Sequence, residues 1–484
     1  MSIHFGGRGP GHIARVQGNR TPNAIFGSSL AYWHDDQDLS TMFADFVGAP
    51  ATVGSAVALQ LDKSQGGALG SDVKATGAPA LIGSATAATY NTGTGAGTAI
   101  EVDGSNYSYI TFSGPTVGRP YFVDVENTGS ATFSIRDSST SIATVTAGQR
   151  KTVFVPALVG TLRLRPDTVA TSISFTVHSV KEVLGTPRYQ STAAQRPILG
   201  RHPKGGRRNL LLATATMSTQ SVTVRAVAHT LAFTGTGTVT LSGTSTAGPL
   251  VGTGAGDRVT LTFTPTAGSL TLTVSGSVTL AQLQEGSADT AYQAVTTTYD
   301  CTETGVPDCY YLQADGSDDG MVTPTLDLSA TDKIGVFTAV RKLSDAAVGM
   351  VCEFSPTVNS NNGAFWLAAP VTAADNYCFA SKGTVASAPA GTGFAAPHTA
   401  VLAGIGDIAG DSAVIRANGA VAASFATNQG NGNFGNHVLY FFRRGGSSLP
   451  FNGLEYGGFA CIGLPSADQI AAAEAYQNNI VGAY

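Results

Sequence analysis

The chain has 484 residues, 27 Lys and Arg against 32 Asp and Glu for a net charge of −5, and only 12% charged residues beside 59 glycines. Because single cores stop growing near ~250–300 residues, roughly two to four domains are expected. The acidic balance excludes a general nucleic-acid binder, which needs a basic face to displace phosphate counterions, and no window of ~18 apolar residues offers a membrane span. A surface of Thr, Ser, Val, Ala and Gly with little Lys or Glu suits pleated strands joined by tight turns, so the class is all-β.

Residues 1–68 differ from the rest and read as an N-terminal attachment segment. Their opening MSIHFGGRGPGHIARVQG is charged but lacks the apolar stretch of a secretory signal, which implies a soluble protein made in a cytosol. Such a glycine-rich arm orders only against a partner. Asp38 is placed to cap a short helical turn through LSTMFADF.

From 69 to 182 the pattern changes to short runs that alternate apolar with polar residues: YSYITFSG, RPYFVDVENTG, ATFSIRD, SIATVTAG, KTVFVPA, TLRLRPD and SISFTVHSV. Phe133 with Ile135, and Leu162 with Leu164, mark faces turned to a core, and runs at this spacing predict a first β-sandwich module. Over 183–208 the alternation stops and the sequence reads as a proline-containing linker. Its Arg201, His202, Lys204, Arg207 and Arg208 suggest an anion patch, although a solvated linker or a subunit contact is the plainer reading because aromatics to stack bases are missing.

A second module is expected over 209–292, from QSVTVRAV, HTLAFTG, GTVTLSG, DRVTLTFTP, GSLTLTVSG and SVTLAQLQEG. Its uncharged Thr/Val strands leave adhesive edges, which predicts burial in a homo-oligomer. Residues 293–484 hold all five cysteines and the less regular strands of a two-sheet jelly roll. That region closes with a helix capped by Ser466, for which Ile470, Ala473 and Ile480 supply a packing face.

Two C-terminal stretches carry a resemblance: YYLQADGSDDGMVTPTLDLSATDKIGVFTAVRKLSD, and IRANGAVAASFATNQGNGNFGNHVLYFFRRGGSSLPFNGLEYGGFACIG followed by SADQIAAAEAYQNNIVGAY. Together they resemble the concanavalin A-like (laminin G-like) lectin domains of phage and prophage tail or surface proteins. SSLAYWHDDQDLSTMFADFVGAPATVGSAVALQLDKSQGG is similar to the opening of such proteins, and QLQEGSADTAYQ to the closing strand of their carbohydrate-binding-like modules. The resemblance implies tandem β-sandwich modules followed by a concanavalin A-like jelly roll with a short C-terminal helix. It implies a structural protein on the outer surface of a tailed-phage virion, such as a tail fibre, assembled in the host cytoplasm, docked to other virion proteins through residues 1–68, and adhesive to host-surface glycans. A capsid decoration or head/neck fibre protein without a glycan ligand is the alternative within the same class, and a polysaccharide depolymerase the alternative outside it.

No catalytic site is expected. There is no G-x-S-x-G elbow, and the acids open to nomination for glycoside cleavage, Glu353, Asp407, Asp411 and Glu455, read as turn or surface groups. GTGAG at 93–97 and at 252–256 lacks the Gly-Lys-Ser/Thr continuation of a phosphate loop. No cofactor is implied. Asp315, Asp318 and Asp319 are weak calcium candidates in a run that reads as a turn, since Leu326 stands where a calcium loop needs its bidentate acid. An aromatic platform with amide neighbours would take a sugar, and Phe365, Trp366, Asn433, Phe434, Asn436 and Tyr440 supply those residue types, with core packing as the competing role. The cysteines read as buried apolar side chains, with Cys301 and Cys309 the pair for a disulfide in oxidising surroundings.

Overall fold

A computed structural model describes residues 20–484 apart from 67, 84, 86, 102, 157 and 170. The chain is nearly all β, with helices confined to Pro22–Phe26, a few single 3-10 turns and Ala467–Val481. The Gly/Arg-rich arm expected to dock the chain lies mostly outside the described residues.

Two large sheets make the jelly roll. In the first, the central strand Lys333–Lys342 lies between Asn452–Ile462 and His398–Asp407, which continue outward to Asp308–Asp315 and Ile198–Pro203 on one side and Ser412–Ala417 on the other. In the second, Asn436–Phe441 lies between Met321–Asp327 and Met350–Phe354, followed by Ala364–Ala368 and Tyr377–Lys382. Ile334, Val336 and Val340 face Phe354, Phe365, Leu439 and Phe441 across the shared core. The central strand does not alternate because its other face is buried too: Phe337 packs with Ile25, Phe26 and Phe459 beneath Ala472 and Ala473 of the C-terminal helix. That helix begins as the sequence indicates. Ser466 Oγ accepts from Gln469 N (3.3 Å), Gln469 Oε1 accepts from Ser466 N (3.0 Å), and Gly482 ends the helix at φ +64°.

The expected division of the chain differs from the structure at two places. Residues 30–60 are part of the jelly roll: Leu30–His34 pairs with Asn452–Ile462, and Leu59–Gln60 with Arg188–Tyr189. The stretch 183–208 is likewise more than a linker, because Arg188–Tyr189 joins the second sheet and Ile198–Pro203 the first. The sandwich modules are therefore insertions into the jelly roll. Asp38 caps as expected, accepting from Ser40 N at 3.2 Å, but the turn is a single 3-10 turn, Leu39–Thr41, since Met42–Phe43 is taken into the edge of the second sheet.

Module 1 contains all seven expected strands and four more that precede them, Leu69–Asp72, Gly77–Ile82, Ala88–Tyr90 and Ala96–Glu101. Tyr121–Asn127 alternates strictly between buried and half-buried positions, sending Tyr121, Val123 and Val125 into a core with Phe133, Ile135, Leu162, Leu164 and Phe175. Its entry and exit are tied together by Leu184 N donating to Ala68 O (3.2 Å) and Thr186 N to Asp62 Oδ2 (2.7 Å). Phe154, Phe122 and Val183 then pack on Leu59, Phe46 and Tyr189 of the jelly roll. Module 2 sets a four-stranded sheet against a three-stranded one around Leu231, Phe233, Leu241, Leu272 and Leu283. Asn209 fastens its base, donating to Ala281 O and Gln293 O (2.9 Å each) while accepting from Leu211 N and Leu283 N.

Candidate functional site

The residues nominated for sugar binding do not form one site. Phe365 is 0% exposed and stacked 5.1 Å from Phe354, with Phe434, itself buried, edge-on at 5.9 Å. Trp366, on the opposite face of the same strand, is 6% exposed beneath Met350, Val358 and Cys378. Neither ring can serve as a stacking platform, because Ala364–Ala368 is covered on both faces. Asn433 is exposed and donates to Ser329 O (2.7 Å). Asn436 and Tyr440 share the outer face of Asn436–Phe441, Tyr440 half-buried beside Glu353 and Val322 and Asn436 exposed opposite Asp327.

Cys301 and Cys309 are free, buried thiols, and the proposed disulfide is not formed. Strand Ile198–Pro203 runs between theirs, pairing with Asp300 on one side and Cys309 on the other. Two strand spacings, ~9.5 Å, exceed what a disulfide spans. The ligand oxygens of Asp315, Asp318 and Asp319 lie within 4.8 Å of one another, and burial with the charge of Asp315 pushes Asp319 up to about 7. Backbone donors occupy this turn, Asp315 N on Asp319 Oδ2 (3.0 Å) and Ser317 N on Asp315 Oδ1 (2.7 Å). Each acid considered for catalysis has a structural partner: Glu353 with Arg444 (2.7 Å), Asp407 with Lys333 (3.0 Å), Asp411 with Gln429 N (2.8 Å) and Glu455 with Arg188 (2.6 Å). Of the basic residues at 201–208, Arg201 is paired with Asp300 and Asp308, Arg208 with Glu303, and His202 is buried.

What the structure does bring together is a cleft of about 630 Å³ where module 1 meets the jelly roll. Asn436, Asp327 and Thr325 come from the second sheet, Gln65, Gly185 and Thr186 from the stems of module 1, and Thr116 and Arg119 from its Ser113–Pro120 loop. Asp327 and Asn436 are cross-strand partners, so a carboxylate and an amide stand side by side at the sheet surface. Hydrogen bonds from the Ser329 hydroxyl (2.6 Å) and N–H (2.9 Å) hold Asp327 below the usual carboxylate range, keeping it an ionised acceptor. Apolar surface comes from Val117, Leu184 and Leu326 and not from an aromatic ring.

Behind this cleft a buried charged node fixes the stems. Arg188, 0% exposed, donates from Nη1 to Glu455 (2.6 Å), from Nη2 to Asp36 (2.9 Å) and from Nε to Gln60 (2.7 Å), with Phe441 under the guanidinium at 4.8 Å. His34 Nε2 donates to Thr186 O (2.8 Å), and burial keeps the imidazole neutral by holding its pKa well below the ordinary value. Burial outweighs the attraction of Arg188 at Asp36, which is pushed up to about 8 and has no hydrogen-bond partner on Oδ2. Asp62 accepts from Trp33 N, Ser64 and Thr186 N. Sequence reasoning missed this node and the cleft because each joins distant segments, Arg188 lying 128 residues from Gln60 and 267 from Glu455, and the cleft drawing Gln65 and Thr116 to Asn436.

No family model matches the chain, and no curated protein matches it. Among solved structures it is similar in part to the Ruminococcus gnavus IT-sialidase CBM40 bound to alpha2,3 sialyllactose, at 15% identity and a TM-score of 0.27, covering 34% of this chain and 95% of that one. It is also similar to the receptor binding domain of botulinum neurotoxin D, at 10% identity and a TM-score of 0.28, covering 34% of this chain and 44% of that one. The botulinum neurotoxin serotype D ligand binding domain in complex with N-Acetylneuraminic acid gives 11% identity and a TM-score of 0.29, covering 34% and 42%. These are partial likenesses at low identity.

Proposed function

We propose that this chain is a non-enzymatic structural protein on the outer surface of a tailed-phage particle, where it adheres to host-surface glycans. The observation that supports adhesion best is the inter-module cleft, whose paired Asp327 and Asn436 offer an ionised acceptor and a donor–acceptor amide to adjacent sugar hydroxyls, with Gln65 and Thr116 opposite. Sites of this kind favour the seams between domains. The resemblance of the C-terminal region to phage lectin domains supports the virion setting, and repetition in a homo-oligomer on the particle would convert weak single contacts into avidity.

The test is retention of the purified chain on an array of bacterial envelope glycans, with Asn436→Ala and Asp327→Ala as variants. Selective retention lost in both variants supports the reading. Retention of nothing, together with regular density for the chain over the capsid in electron cryomicroscopy, replaces it with a decoration role.

A further inference from the structure

The second cavity of interest, about 310 Å³, lies on the outer face of the first sheet where module 2 is rooted. Its floor is a cross-strand row, with Gln313 paired to Leu454 and Leu454 to Arg341, so the amide, the leucine and the guanidinium stand in line across three strands. Tyr311 is two residues from Gln313 on the same strand and the same face. Its ring lies directly over Gly200, where a Cβ would come within 2.3 Å of the ring carbon that bears the hydroxyl. Arg207, from the segment that enters module 2, closes the cavity from above.

The charges in this pocket do not cancel. Arg201 is neutralised by Asp300 (2.7 Å) and Asp308 (3.0 Å), and His202 is neutral because burial pushes it down to about 4. Arg341 donates to a hydroxyl, Thr399 Oγ1 (3.0 Å), and Arg207 donates to backbone carbonyls of Asn209 (2.7 Å) and Leu211 (2.9 Å). Among the described residues neither has a carboxylate within salt-bridge distance. Arg207 is half-buried, and partial burial without a counter-charge depresses its pKa. Also among the described residues, no hydrogen bond engages the Tyr311 hydroxyl or the Gln313 amide. Two uncompensated guanidiniums, a free phenol, a free amide and the apolar edges of Leu210 and Leu454 thus converge on a volume suited to one small ring.

We propose that this pocket binds a single carboxylate-bearing sugar, with Arg341 and Arg207 taking the carboxylate and Tyr311 and Gln313 taking ring hydroxyls. Guanidinium and carboxylate match as a charge-assisted pair, while the leucines receive the apolar face of the ring. The inference rests on the glycan-adhesion reading for its biological sense but uses a separate pocket.

Isothermal titration of the full chain with methyl glucuronide, methyl glucoside and sodium acetate tests it, since the two sugars differ only in the carboxylate. The expected result is a dissociation constant near ~1 mM for the glucuronide, typical of one small-ligand contact, and at least tenfold weaker binding of the other two probes. Arg341→Gln is expected to weaken the glucuronide at least tenfold. Tyr311→Phe, which removes a hydroxyl with no partner among the described residues and so spares the fold, is expected to weaken it about fivefold, the worth of one hydrogen bond. Equal binding of both sugars, acetate binding as tightly as the glucuronide, or a glucuronide affinity unmoved by Tyr311→Phe and Arg341→Gln would each overturn the proposal. Array retention that depends on Asn436 while the glucuronide fails to bind removes this inference alone. Arg341-dependent glucuronide binding without Asn436-dependent retention removes the cleft and keeps the pocket.

Discussion

Replacing Arg188 by Met would leave the apolar stem in place between Phe441 and Phe442 but strip the cation from Asp36 and Glu455 and the donor from Gln60 Oε1. Breaking a buried ion pair by removing one member costs about 3–5 kcal/mol, because the abandoned charge stays out of water, whereas replacing a whole buried network by neutral groups is often close to neutral. At about 2–4 °C per kcal/mol for a domain of this size, the jelly roll should melt roughly 10 °C earlier in Arg188→Met. Most of that loss should return in Arg188→Met/Asp36→Asn/Glu455→Gln. The assay is intrinsic: the chain has two tryptophans, Trp33 and Trp366, and both are buried in the jelly roll, so fluorescence follows that unit without contribution from the inserted modules. A single variant within about 2 °C of the parent, or a triple variant no better than the single, refutes the reasoning.

Asp36 gives a pH dependence. Its carboxyl titrates near 3.8 when exposed and about 8 in the fold, so its contribution is full below about 3.8 and is lost as pH rises through about 8. Between pH 5 and pH 8 the tryptophan melting temperature of the parent should therefore fall relative to that of Asp36→Asn, the gap changing by roughly 2–4 °C per pH unit; parallel profiles count against it. The five cysteines are buried and free, so thiol reagent should label none in the native chain and all five after denaturation, and reductant should leave the melting temperature unchanged. Ser466→Ala removes the cap of the C-terminal helix and should cost about 1 kcal/mol, read as faster amide exchange at Gln469 and Ile470. Host polysaccharide mixed with the chain should keep its viscosity; a fall would revive the depolymerase alternative.

The strands legible in the sequence are those with one wet face. Tyr121–Asn127 and Leu162–Pro166 alternate because module 1 is a thin sandwich whose outer face meets solvent, and each emerges where the alternation places it. Ala96–Glu101 passes unnoticed because Gly, Ala and Thr dominate it, and Leu69–Asp72 because a short run with a single large apolar residue carries no apolar period even when it pairs. Trp366 misleads for the opposite reason. AFWLA is apolar throughout, the mark of a strand covered on both faces, and reading its aromatics as a platform ignores that period.

The insertion of both modules into the jelly roll has no local signature at all. Leu59–Gln60 and Arg188–Tyr189 are two residues each, too short for any periodicity, and what holds them is Arg188 reaching 128 residues back to Gln60 and 267 forward to Glu455. A lone arginine in a proline-containing stretch looks like a solvated linker charge until its partners are known. The same separation hides both candidate sites. Asn436 gains Gln65 and Thr116 as neighbours only because module 1 leaves and re-enters at adjacent points, and Arg341 gains Arg207 only because module 2 is rooted beside the outer face of the first sheet. Both proposed sites depend on where the insertions are anchored, so a variant that loosened the Arg188 node would disturb the Asn436 cleft before it disturbed the Arg341 pocket. Side-by-side titration of Arg188→Met with envelope glycan and with methyl glucuronide should show that order, with the first affinity falling and the second holding.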